Sequence, residues 1–146
     1  MMIEGMPLPV VDDPLDAPFW QATLGGQIVI QRCSSCGRRR FPPRPMCPEC
    51  QSFESTWQRM SGEGRIWSFV VPHPPLLPAF AGLAPYNVIV VELADDPSIR
   101  LVGNLVTSAT GEINEVDPKT IRIGAPVRAV FHKVADDVAL IRWVAV

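Results

Sequence analysis

Apolar Ile28 and Ile30 alternate with their neighbours through residues 27–32, the period-two pattern of a strand buried on one face, and residues 53–59 offer a second such strand. Upstream, residues 14–24 read PLDAPFWQATL. Asp16 and Pro18 stand at the start, Phe19, Trp20 and Leu24 fall on about one face, and Gly25-Gly26 supply a stop, so a short amphipathic helix is predicted. Beyond Ser61-Gly62 the texture becomes strand-like segments broken by Gly, Pro and Asp, at residues 65–71, 87–94, 99–108, 127–134 and 138–144. Five short strands predict a small closed barrel. The OB-fold is the commonest such barrel at this size, and an SH3-like barrel is the alternative.

Two connections exceed the usual few residues. Residues 109–126 carry Asp117-Pro118, which can open a helical turn. Residues 72–85, PHPPLLPAFAGLAP, are apolar enough that Leu76, Leu77, Phe80 and Leu83 are costly to leave in water, so this loop is expected to plug its own barrel, dock a partner or line an acyl channel. Residues 1–13, with Pro7 and Pro9 and no regular period, read as an arm that is ordered only by docking. The division that follows is 1–60 for arm, helix and metal ribbon, and 61–146 for the barrel.

The 146 residues are 47% hydrophobic and 19% charged, which excludes global disorder and leaves room for one core or two small modules. A net charge of -2 lacks the positive field of a nucleic-acid binder, so single-strand binding rests on barrel type alone. Trp67, Phe69, Tyr86, Phe131 and Trp143 are available for base stacking, but alternation sends most of them into the barrel core. No segment reaches the roughly 18 uninterrupted apolar residues of a membrane span, and the start has no basic and apolar leader, so a cytoplasmic protein is expected.

The four cysteines form two Cys-x-x-Cys pairs, Cys33/Cys36 and Cys47/Cys50, separated by ten residues. Each pair can turn two sulfurs toward one ion, and together they make a closed tetrahedral shell that leaves no position for substrate. A structural zinc is the reading; iron shares this geometry. A redox dithiol needs one such pair in a βαβ setting, which this pattern lacks. Arg38, Arg39, Arg40 and Arg44 lie between the pairs, either as counter-charge to the thiolates or as a phosphate patch. His73 has no neighbouring acid or base, and no nucleophile elbow, zinc-protease, P-loop or dinucleotide fingerprint occurs, so autonomous catalysis is not expected.

The order of motifs is distinctive: Phe19-Trp20, then GQIVIQRC at 26–33, the paired knuckles, GRIWSF at 64–69, APY at 84–86, VEL at 91–93, GNL at 103–105 and IGAPV at 123–127. Over about residues 14–146 it resembles the zinc-ribbon plus OB-fold acyl-CoA-associated proteins. The resemblance implies a mainly β chain with an N-terminal helix, a rubredoxin-like zinc ribbon and a five-stranded OB-fold barrel. It implies zinc held by Cys33, Cys36, Cys47 and Cys50, and a non-catalytic subunit bound to a thiolase-like enzyme, acetyltransferase, lipid-transfer-protein-like aldolase or hydratase, as in steroid or fatty-acid side-chain degradation. Acyl-CoA is an expected ligand, with Arg38, His73 and Tyr86 placed to contact it near the ribbon and the apolar loop. A stand-alone acyl-CoA carrier is the competing expectation.

Overall fold

The structure, a computed structural model, describes residues 2–146. Helix α1 (Ala17–Leu24) leads into β1 (Ile28–Cys33), β2 (Arg39–Arg40) and β3 (Ser55–Met60), which form a three-stranded antiparallel sheet in the order β2-β1-β3. β4 (Glu63–Val70), the single helical turn α2 (Pro78–Ala81), β5 (Val88–Leu93), β6 (Arg100–Gly103), a 3-10 turn (Pro118–Thr120), β7 (Pro126–Ala135) and β8 (Val138–Ala145) follow. The second sheet runs β6-β5-β4-β7-β8, and a parallel bridge from Leu105 to Trp143 joins its ends, giving the expected five-stranded OB barrel.

Alternation drives the barrel. Ile89, Val91 and Leu93 of β5 are fully buried, while Val88, Val90 and Glu92 between them are half-buried. In β4 a register shift between Ile66 and Ser68 accommodates Trp67 as an extra outward residue, 46% exposed, and Arg100 stacks its guanidinium 3.7 Å above the ring. Of the five aromatics weighed for stacking or core, Trp143 and Tyr86 are buried, Phe69 and Phe131 are half-buried, and Trp67 faces out.

Closure demands glycine at Gly103. A Cβ there would lie 2.9 Å from the Ile141 carbonyl oxygen and 3.0 Å from Trp143 Cδ1, so only a residue without a side chain lets β6 reach β8. The strand expected over 99–108 therefore stops at Gly103. Past it, the buried Asn87 side chain replaces the ladder, donating to the Leu105 carbonyl at 3.0 Å and accepting from the Leu105 N–H at 2.7 Å.

One apolar core spans both sheets: Phe19 of α1, Ile28 and Ile30 of β1 and Met60 of β3 are continuous with Ile66, Val91, Leu93 and Trp143 of the barrel. Phe19 contacts Trp20 and Phe41 with ring centroids 5.1 and 5.2 Å apart, pinning the helix onto the ribbon. The helical face differs from expectation at one place. Thr23, four residues after Phe19, is buried and donates to the Trp20 carbonyl, whereas Leu24 is 41% exposed, because 100° per residue carries it past the buried stripe.

The two long connections are folded down. In 109–126, Ile113 and Ile121 are buried, and Asp117 caps the 3-10 turn by accepting from the Lys119 N–H at 3.0 Å, the turn that Asp-Pro predicted. In 72–86, Leu76, Phe80 and Leu83 are half-buried and Phe80 packs 5.9 Å from Tyr86, but Leu77 remains 59% exposed. Among the described residues no helix is long and apolar enough to cross a membrane.

Candidate metal centre

β1 delivers Cys33 to the first knuckle, where Gly37, at φ +79°, donates its N–H to the Cys33 carbonyl at 3.0 Å, and the Cys36 N–H points at Cys33 Sγ at 3.5 Å. The second knuckle repeats this geometry four residues after its own first cysteine: Gln51, at φ +63°, donates to the Cys47 carbonyl at 2.9 Å. Both turns need the left-handed conformation at that position. The sequence signals it at Gly37 and hides it at Gln51, where a long side chain occupies a glycine's place.

The knuckles meet face to face. Cys33 Sγ lies 3.5 Å from Cys50 Sγ and Cys36 Sγ 3.6 Å from Cys47 Sγ, and all four sulfurs fall within 4.8 Å of one another. Four ligands about 2.3 Å from a tetrahedral zinc are about 3.8 Å apart, so this donor set fits the ion. Cys33 and Cys47 are buried and Cys36 and Cys50 are exposed. The Cys36 backbone N–H, ahead of burial, takes the Cys33 thiol down to about 6, and the Cys50 N–H lowers Cys47. The Arg38 N–H pulls the other way at Cys36, but desolvation and the three neighbouring sulfurs push it up to about 11. Four thiols this close cannot all ionise without a cation between them.

Three of the arginines between the pairs take different partners. Arg38 pairs with Glu49 across the ribbon. Arg39 donates to Gln58 of β3 at 2.8 Å and reaches Asp96, in the turn before β6, at 3.3 Å, tying ribbon to barrel. Asp96 also accepts from Ser98, and these bonds hold its carboxyl below its usual range against the opposing effect of burial. Arg40 is 5% exposed and donates to the Arg44 carbonyl at 3.0 Å, and the Gln31 side chain holds the same segment by accepting from the Arg44 N–H.

The three residues expected to contact acyl-CoA are not gathered. Arg38 is on the ribbon surface, His73 is exposed on the apolar loop and Tyr86 is buried beneath Phe80. Arg38 lines a cavity at the ribbon–barrel junction that neither His73 nor Tyr86 borders. Sequence reasoning passed over His132 and Arg142, both buried on adjacent strands of one hairpin, where Arg142 Nη1 donates to the Gly111 carbonyl at 3.1 Å. Their charges carry no motif that would single them out.

The ChsH2 rubredoxin-like zinc ribbon domain matches residues 20–55, and the ChsH2 C-terminal OB-fold domain matches residues 57–132. A DUF35 domain-containing scaffold protein of Methanothermobacter thermautotrophicus is 36% identical over 107 residues, covering 73% of this chain and 72% of that one. A probable enoyl-CoA hydratase alpha subunit of Thermomonospora curvata is 42% identical over 113 residues, covering 77% of this chain and 32% of the relative, so the match spans about a third of that protein's length. Among solved structures, a chain described as Ltp2-ChsH2(DUF35) aldolase superposes with a TM-score of 0.78 at 33% identity, covering 94% of this chain and 98% of that one. The ribbon, the barrel and these matches agree, and the chain belongs to the ChsH2 (DUF35) family of paired zinc-ribbon and OB-fold domains.

Proposed function

We propose that the protein is a non-catalytic scaffold subunit that binds and supports an acyl-CoA-processing enzyme of the hydratase, aldolase or thiolase-like class. The observation that carries the reading is the near end-to-end correspondence with a chain described as part of an aldolase, together with a scaffold relative of similar extent. Cys33, Cys36, Cys47 and Cys50 hold one zinc in this proposal. Four thiolates saturate the ion, so it stiffens the knuckles and leaves no open position for a substrate carbonyl. Residues 1–60 act as the stiff adaptor and 61–146 as the barrel on which it is mounted, with a core continuous between them. A reducing compartment such as the cytoplasm preserves a site of this kind, and the cytoplasm is the location this reading proposes.

Co-expression with a hydratase or aldolase encoded beside it should give one heteromeric peak in size-exclusion chromatography. Two independent peaks at micromolar concentration would refute the scaffold reading. Acyl-CoA contact is a second proposal, resting on Arg38 at the ribbon–barrel cavity, which His73 and Tyr86 do not border, and supported by the CoA in the hydratase relative's name. Calorimetric titration of the isolated chain with medium-chain and steroid acyl-CoAs tests it: heat that Arg38→Ala diminishes supports the contact, and no heat at millimolar ligand removes it.

A further inference from the structure

Between the β2 edge of the ribbon and the turn before β6 lies a cavity of about 390 Å³, bordered by Arg38, Arg39, Arg40, Arg44, Ser98 and Ile99 among others. That volume is within the roughly 300–1,000 Å³ range of small-molecule sites. Its charges are unevenly matched. Glu49 takes Arg38 and Asp96 takes Arg39, the other Asp96 oxygen being held by Ser98, so both of these carboxylates are engaged and neither borders the cavity. Arg40 and Arg44 form no ion pair among the described residues.

Arg40 is the telling member. It is 5% exposed, its Nη2 donates to the Arg44 carbonyl, and its buried Nε and Nη1 have no acceptor. A guanidinium cannot shed its charge by deprotonation, so a buried one with most of its fork idle demands an anion. The thiolate–zinc cluster supplies negative charge nearby but no oxygen. Arg40 pairs in register with Gln31, two residues along β1 from Cys33, roughly 7 Å of strand away from the metal knuckle.

We propose that this cavity is a site for a phosphate group, held by Arg40 from beneath and by Arg44 at the rim. A tetrahedral oxyanion matches the idle fork, and the exposed Arg44 guanidinium adds a second charge on the side from which the anion enters. Entry is past the 42–46 segment, which the bond from Arg40 to the Arg44 carbonyl and the bond from the Arg44 N–H to Gln31 hold over the fork. The site is complete within this chain and does not depend on the scaffold reading.

The test uses the zinc-loaded full chain titrated with inorganic phosphate and with adenosine 5′-monophosphate, in buffers matched for ionic strength with sodium chloride, and followed by calorimetry and thermal unfolding. Both probes should bind saturably with millimolar or tighter dissociation constants and raise the melting temperature. Arg44→Ala, at an exposed position, should weaken both by about tenfold, and Arg40→Lys, which keeps the charge but loses the fork, by at least as much. Tighter binding of the nucleotide identifies an organic phosphate as the natural occupant, and equal binding identifies free phosphate. No saturable effect beyond that of chloride overturns the site, as does binding that Arg44→Ala leaves unchanged. The Arg44 variant keeps the proposal testable even where Arg40→Lys fails to fold.

Discussion

Acid should weaken this fold through one histidine. His132 of β7 is 5% exposed, and loss of hydration, with the Arg142 guanidinium next in importance, lowers its pKa from 6.5 to about 4. Arg142 is itself 2% exposed and desolvated, so a proton on His132 would place a second positive charge in the same buried layer. In the unfolded chain the imidazole titrates at its ordinary value, so between the two pKa values the unfolded state binds more protons than the native one and stability rises with pH. The contribution is intact above about pH 6.5, and falls as pH is lowered toward 4. A separation of about 2.5 units at about 1.4 kcal/mol each caps the loss at roughly 3 kcal/mol, of which about 2 kcal/mol is spent by about pH 5. Urea unfolding of wild type and His132→Gln at about pH 7.5 and about pH 5 measures it, with the variant cancelling acid effects that arise elsewhere, the thiols included. Wild type should lose about 2 kcal/mol more than the variant over this interval. Parallel losses in the two proteins would refute the reasoning.

Other outcomes follow from backbone geometry. Gly103→Ala drives a methyl group into the Ile141 carbonyl and the Trp143 ring and should cost about 1–3 kcal/mol in urea unfolding, with the β6–β8 closure exchanging amide hydrogens fastest. Gly37→Ala, at φ +79° and with Arg32 Nη2 3.3 Å from the new Cβ, should cost about 1–2 kcal/mol, whereas Gln51→Gly, at φ +63°, should stabilise by up to about 1 kcal/mol in the same assay. Asp96→Asn removes the charge that ties Arg39 to the barrel. With side chains 24% and 23% exposed, this pair should contribute about 1 kcal/mol or less to stability, and its loss should weaken hydrogen-exchange protection at the ribbon–barrel junction.

Much of the architecture was legible because it is written in alternation and in cysteine spacing. Ile28 and Ile30 announce β1, and the pairs Cys33/Cys36 and Cys47/Cys50 announce a four-sulfur cluster whose members the fold brings within 4.8 Å. Five barrel strands appear where the period-two segments fall. Less legible was whatever depends on two backbones approaching each other. The end of β6 at Gly103 reflects the distance to Ile141, which no local pattern records. The two-residue strand β2 is made of arginines and exists because β1 offers it a partner. The arginine run is legible as charge but not as geometry: Arg38 and Arg39 find carboxylates on opposite sides, while Arg40 is buried at the cavity between ribbon and barrel. The α2 turn inside the apolar loop, opened by Pro78, needed Tyr86 as the surface for Phe80.

The central claim is that one metal ion pins the two knuckles and that the ribbon's order depends on it. Elemental analysis of the freshly purified, reduced protein, followed by thermal unfolding before and after chelation, tests it most directly. The account predicts one zinc per chain and a large fall in melting temperature once the zinc is stripped, reversed by adding it back. Protein that carries no stoichiometric metal, or that melts unchanged after complete removal, would contradict it.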